Sequence, residues 1–253
     1  AIPGLEGLAY NIAAVGGLEN SSISFSYMNW ALEGSSLNNL VFAIPLTDNY
    51  VLGIQWKALN FPSIKKYDED GFFLRQEFVP NDNMATISLT TGFGENIDFG
   101  IGIGAVKEKI DSYAATAYFA NFGLIYELDA LTAGISANYI PIVEKELIED
   151  EMPLPTTIRL GVSYAVSEAL LVAMDIEKPN HNTVMIHAGV QYTWADMVDF
   201  RIGYKTGSFE GFTLGLGAHK ELIENFVMGI DYAFGTSSDD FNLLHRFGVS
   251  MDF

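Results

Sequence analysis

The chain has 253 residues, with 13 Lys plus Arg against 32 Asp plus Glu and a formal charge of −19. Such an excess of carboxylates repels phosphate backbones and excludes nucleic acid as a partner, and the lack of cysteine excludes disulfides, thiolate metal sites and cysteine nucleophiles. Charged residues make up 18% and aromatics 13% of the chain, yet no apolar run approaches the roughly 18 residues that a membrane helix needs.

The first stretch, AIPGLEGLAYNIAAVGG, has no basic region followed by an apolar core, so it does not read as a signal peptide. Residues 1–20 are read as an N-terminal segment with room for a short helix. From Ser22 to the end, large apolar residues alternate with small or polar ones, the period of a strand with one apolar face. Fourteen such segments follow in order: 22–31, 38–46, 50–58, 84–93, 97–107, 114–126, 131–142, 156–164, 169–177, 183–194, 198–206, 212–219, 225–234 and 244–253. In the last, His245, Phe247, Val249, Met251 and Phe253 oppose Arg246, Gly248, Ser250 and Asp252. The glycines of FGIGIGAV alternate along a strand with no helix after them, so they make room in an interior and are not a dinucleotide loop.

The second face decides which way the strands point. It is mostly Gly, Ser, Thr and Ala, as at Ser22, Ser24 and Ser26 or Thr86, Ser88, Thr90 and Gly92, which suits a crowded lumen better than a solvated surface. Tyr and Trp fall near strand ends, at Trp30, Tyr50, Trp56, Tyr126, Tyr164, Tyr192 and Trp194 among others, as interface girdles require. Alternate connections are short, and the two longest, 59–83 and 143–155, fall on the same side. This asymmetry belongs to an outer-membrane barrel with short periplasmic turns. The expected fold is all-β: a transmembrane, antiparallel, up-and-down β-barrel of about 14 strands over residues 21–253, preceded by a luminal or periplasmic segment, residues 1–20, that acts as a partial plug.

The stretches LPTTIRLGVSY (Leu154 to Tyr164), VDFRIGYKTG (Val198 to Gly207) followed by FTLGLGAHK, and DYAFG with LLHRFGVSMDF resemble the PorV/PorQ-type branch of the FadL-like outer-membrane proteins. The likeness covers roughly the last hundred residues, and the N-terminal half only by its pattern. It implies a fourteen-stranded barrel in the bacterial outer membrane, and Phe253 resembles the aromatic end read by the outer-membrane assembly machinery. FadL transporters carry a longer N-terminal hatch with an Asn-Pro-Ala motif, which Ile2-Pro3-Gly4-Leu5 at most echoes. The resemblance implies either diffusion of hydrophobic small molecules or service to protein secretion at the cell surface.

Parity gathers Asp98, Arg159, Asp175, His187, Asp199, Arg201, Lys205, Asp231, Arg246 and Asp252 on the luminal face. Arg159, Arg201 and Arg246 are expected to face acidic partners across the interior, either as a ladder that selects solutes or as a network that neutralises buried charge. Acidic residues cluster in the external loops: Asp68, Glu69 and Asp70; Glu144, Glu146, Glu149, Asp150 and Glu151; Asp239 and Asp240. They read either as solvated, self-repelling loops or as sites for a divalent cation bridging to glycolipid or a protein. Pro45 removes a ladder donor within the second strand, read either as a lateral exit or as a rim residue beside the turn at Thr47. No HExxH or paired-His spacing occurs, and no catalytic constellation carries a signature. No enzyme, cofactor or metal is expected.

The expectation is a passive channel for small hydrophobic molecules, surrounded by outer-membrane lipid. Its rivals are a non-transporting anchor or adaptor for a secreted or surface-layer protein, and a general porin; a homo-oligomer is open under each.

Overall fold

The computed structural model describes residues 2–29, 34–143, 154–207, 210–223, 226–237 and 243–253. Among the described residues, two 3-10 turns, Leu5–Ala9 and Ile12–Val15, come first, and every later helix or strand element is a strand. The first are β1 (Ser22–Asn29), β2 (Ser36–Thr47) and β3 (Tyr50–Asn60), then a small hairpin of β4 (Ile64–Tyr67) and β5 (Phe73–Phe78). Next come β6 (Asn81–Phe93), β7 (Ile97–Ile110), β8 (Tyr113–Leu128), β9 (Leu131–Val143), β10 (Thr157–Ser167) and β11 (Leu170–Pro179). The last are β12 (Met185–Trp194), β13 (Val198–Lys205), β14 (Glu210–Ile223), β15 (Phe226–Ser237) and β16 (Leu244–Asp252).

All but β4 and β5 form one closed barrel of fourteen antiparallel strands, each beside its neighbour in sequence once the hairpin is set aside. The seam pairs β1 with β16, Ser22 opposite Asp252 and Met28 opposite Arg246. Closure leaves no strand edge unpaired, so backbone donors and acceptors are satisfied within the wall and side chains alone decide what each face meets. The fourteen segments of the sequence pattern are the fourteen barrel strands. Their ends shift: β6 begins at Asn81, β8 extends to Leu128 and β15 to Ser237.

The hairpin β4–β5 was not expected within 59–83. Its strands are short and charged, KKY and LRQE, and carry too little alternation to stand out. It stands off the barrel, tethered where Lys66 Nζ meets Asp111 Oδ1 at 2.5 Å in the β7–β8 turn.

The outer face is apolar around the whole circumference: Phe25 and Tyr27, Ile54 and Trp56, Ile101 and Ile103, Leu160 and Val162, Leu214 and Leu216, Phe247 and Val249 are all exposed. The N-terminal segment builds two of the buried apolar clusters, and Ala117, Phe119 and Leu154 form another without it. Leu5, Leu8 and Val15 pack on Val41, Ala43 and Val51 of β2 and β3, and Ala13 and Ala14 pack on Ile125 of β8. The short helix expected in this segment takes 3-10 form. Tyr10 ends the first turn, and Asn11, in extended geometry, caps the second, its Oδ1 accepting from Ala13 N at 3.0 Å.

Candidate functional site

The seat of the N-terminal segment depends on glycines in the wall. A Cβ at Gly100 would lie 2.9 Å from Ala13 N, and one at Gly123 would lie 2.9 Å from that same atom and collide with Asn11 Oδ1. Only glycine lets the two backbones approach so closely. Asn11 then ties the segment to two strands, its Nδ2 donating to Leu124 O at 3.1 Å and Ile135 O at 3.2 Å. Thr90 Oγ1 donates to Ile12 O at 2.7 Å, and Ser136 Oγ and Asn138 Nδ2 each donate to Tyr10 O at 2.8 Å. The hydrogen bonds to the wall are thus made by Tyr10, Asn11 and Ile12, while of Ile2-Pro3-Gly4-Leu5 it is Leu5 that packs on the wall. A single Asn in a run of small residues has no period to reveal it, although its Asn-x-Ala spelling was the available signal.

Above this segment the barrel encloses a cavity of about 620 Å³. Gly7, Ala9, Tyr10 and Asn11 form its floor, and Met28, Lys57, Tyr139, Arg159, Asp175, Glu177, His187, Lys205 and Arg246 line its walls. In a chain of strong negative charge the cavity collects four fixed cations, Lys57, Arg159, Lys205 and Arg246, against the two carboxylates Asp175 and Glu177.

The registers of β9 to β13 create this group. Arg159 lies opposite Glu177, Asp175 opposite His187, and His187 opposite Lys205. Arg159 binds Glu177 Oε2 at 2.5 Å and stands 3.9 Å from Asp175; its guanidinium also covers the Tyr10 ring, 4.7 Å from the centroid. His187 Nε2 lies 3.1 Å from Glu177 Oε2. Glu177 was absent from the expected luminal set because it falls at the end of its segment, yet it is the carboxylate that stands between Arg159 and His187. Removing one partner of so enclosed an ion pair costs about 3–5 kcal/mol.

A second group lies on β12, β13 and β15. Arg201 pairs with Asp231 through Nη1 and with Asp199 through Nη2 at 2.9 Å, and its Nε donates to Gln191 Oε1 at 2.9 Å. Asp199 is buried and also accepts from Thr193 Oγ1 at 2.7 Å and Gln191 Nε2 at 3.2 Å. His219 Nδ1 approaches Asp199 Oδ2 at 3.5 Å.

The remaining expected residues are scattered. Asp98 lies against Gly16 of the N-terminal segment, where an added Cβ would strike its carboxyl, and Arg246 Nε donates to Met28 Sδ at 2.8 Å. Arg159 finds its described acidic partners on the adjacent strand β11, and Arg201 finds its own on β13 itself and on β15, along the wall. Asp68 closes the β4–β5 turn by accepting from Asp70 N at 3.1 Å and Phe72 N at 2.7 Å, with Glu69 and Asp70 exposed beside it. Glu144, Glu146, Glu149, Asp150, Glu151, Asp239 and Asp240 lie outside the described residues. Pro45 sits opposite Val51, and pairing continues past it, after one irregularity, to Thr47 opposite Tyr50. On its other side, the pairing of β2 with β1 ends at Ala43, opposite Ser22. Phe253 N donates to Ser21 O at 2.8 Å, extending the seam, and its ring is exposed.

Sequence reasoning missed Tyr139. It holds a left-handed φ of 59°, uncommon for a residue with a bulky side chain. Asn121 Oδ1 supports it by accepting from its N–H at 2.8 Å. The ring packs edge-on to Phe119 at 5.2 Å, and its hydroxyl accepts from Lys57 Nζ at 3.2 Å on the cavity wall.

No protein-family model and no curated protein matches the sequence. Solved structures match the fold. A deltaS2S3 mutant of the monoaromatic hydrocarbon channel TodX aligns with a TM-score of 0.66 at 11% identity, over 98% of this chain and 94% of that one. The monoaromatic hydrocarbon channel CymD aligns with 0.66 at 13% identity, over 98% and 92%. A Pseudomonas aeruginosa FadL homologue aligns with 0.64 at 10% identity, over 100% and 94%. The fold of this chain is the one shared by TodX, CymD and that FadL homologue.

Proposed function

We propose that this chain is a FadL-like barrel of the bacterial outer membrane that lets small hydrophobic molecules pass without catalysing a reaction. One observation carries the reading: a closed fourteen-stranded barrel, apolar outside and polar inside, is partly filled by its own N-terminal segment. A continuous apolar exterior of this extent suits lipid and not water, and a closed barrel is the all-β way to cross a bilayer. TodX and CymD are monoaromatic hydrocarbon channels, and small apolar solutes are the class the reading takes from them. The N-terminal segment serves as the partial plug, and Phe253 as the residue met by the assembly machinery. Placement in the PorV/PorQ-type branch rests on the segments around Arg159, Arg201 and Arg246.

The test is entry of toluene into vesicles carrying the purified chain. Entry faster than in protein-free vesicles is expected, and equal rates overturn the reading. Deleting residues 1–20 is expected to raise permeability, and no change would remove the plug role. A large, steady current from the intact chain would favour a porin. Capture of a surface protein through the external loops, with no solute entry, would favour the adaptor.

A further inference from the structure

The N-terminal segment fills one side of the lumen. It packs on β1, β2, β3, β6, β7 and β8, and its described hydrogen bonds to the wall go to β6, β8 and β9. On that side Thr90 is 0% exposed and Val41 2%. Across the lumen, the Arg201 and Asp231 side chains keep 34% and 24% of their surface open, although the barrel around them is closed. Glu6, on the segment, is also exposed. Its carboxyl feels the charges of Asp231, Arg201 and Asp199, and the open surface of Glu6, Arg201 and Asp231 lies inside the closed barrel.

The position along the barrel axis matters equally. Gly203 lines the cavity, and Arg201 is the next inward position on β13, about 7 Å nearer the rim at which β13 begins, at roughly 3.3 Å per residue. Asp199 is one inward step beyond. The group therefore stands between the cavity and that rim. Its charge is uneven, since Asp199, Asp231 and Glu6 oppose Arg201. Arg201 is fixed to Asp231, Asp199 and Gln191 at once.

We propose that a thin aqueous path runs between the N-terminal segment and the β12–β15 wall, with Arg201, Asp199, Asp231 and Glu6 as a constriction that passes small cations in preference to anions. Fixed carboxylates in a confined space favour counter-ions of opposite sign. The path is separate from any hydrophobic route and rests only on the part of the preceding reading that places the barrel across a membrane.

The experiment measures reversal potential and conductance of the full chain in planar bilayers under a potassium chloride gradient, with insertion checked independently by protease protection in vesicles. A small current with cation preference is expected. Arg201→Ala is expected to raise conductance several-fold, and Glu6→Lys, a change on the segment that leaves the wall intact, to shift the reversal potential toward that of chloride. Anion preference in the intact chain overturns the proposal. So does the absence of current in both the intact chain and Arg201→Ala when both are inserted. Failure to insert overturns the membrane reading and this proposal with it, whereas toluene entry without ion current removes the ion path alone.

Discussion

Two walls of the same barrel solve different problems. The wall of β2, β3 and β6 to β8 offers Val41, Ala43, Val51, Thr90 and the glycines of β7 and β8 to the N-terminal segment, and packs against it at van der Waals distance. The wall of β10 to β15 offers Arg159, Asp175, Glu177, His187, Asp199, Arg201 and Asp231, whose described ion pairs are made with one another. The contrast shows how a lumen too wide for its own side chains can be half closed. A short segment needs close packing on one side only, because self-paired charges on the other side remain stable beside water.

Exchanging a glycine for leucine on each wall breaks this comparison most sharply. Gly123→Leu drives a side chain into Asn11 and is expected to expel the segment, at a cost of about 1–3 kcal/mol or more. At Gly189 an added Cβ would meet Ile202 O at 3.5 Å and no closer atom, and with Gly189→Leu the segment should stay seated. Protease cleavage within residues 1–20 distinguishes the two, and equal protection would erase the distinction between the walls.

Asn11→Ala removes the cap on Ala13 and the two bonds to β8 and β9, leaving the Leu124 and Ile135 carbonyls without that donor. Loosening of the segment by about 1–3 kcal/mol is expected, read as faster amide exchange in residues 5–16. A smaller effect comes from Glu6. Enclosure by the barrel raises its carboxyl above the ordinary 4.5, Asp231 adds to the rise, Arg201 opposes it and Asp199 adds again. A raised carboxyl favours the folded state while protonated, so seating of the segment should be firmest in acid and weaken as the pH rises through Glu6's raised value. Glu6→Gln should flatten that part of the profile; an unchanged difference between the two chains across this window would contradict it.

The smallest effect is expected outside the barrel. Lys66 and Asp111 are 26% and 32% exposed, and Lys66→Ala should change stability by about 0–1 kcal/mol, with the lumen unaffected. A larger loss on thermal unfolding would mean that the β4–β5 hairpin braces the barrel.

Much of the barrel was legible before any coordinates. The two-residue period runs through each strand because the pleat sends alternate side chains to opposite faces, and Ser22, Ser24 and Ser26 opposite Phe25 and Tyr27 already indicate which face is inward. Single positions without a period were not legible. Asn11 looks like any polar residue in a loop, Tyr139 like any aromatic in a strand, and the β4–β5 hairpin is too short to alternate. Glu177 had the right parity but stood at a segment end, where boundaries are least certain.

The sequence by itself determined the number of barrel strands, their faces and the sign of the chain's charge, since each follows from local alternation and composition. Only the tertiary structure decided which charges meet and where the N-terminal segment lies. Arg159 finds Glu177 and Arg201 finds Asp231 through the registers that barrel closure imposes, and Asn11 finds Leu124 and Ile135 across more than a hundred residues. Those partners depend on stagger and curvature, which no local pattern of residues encodes.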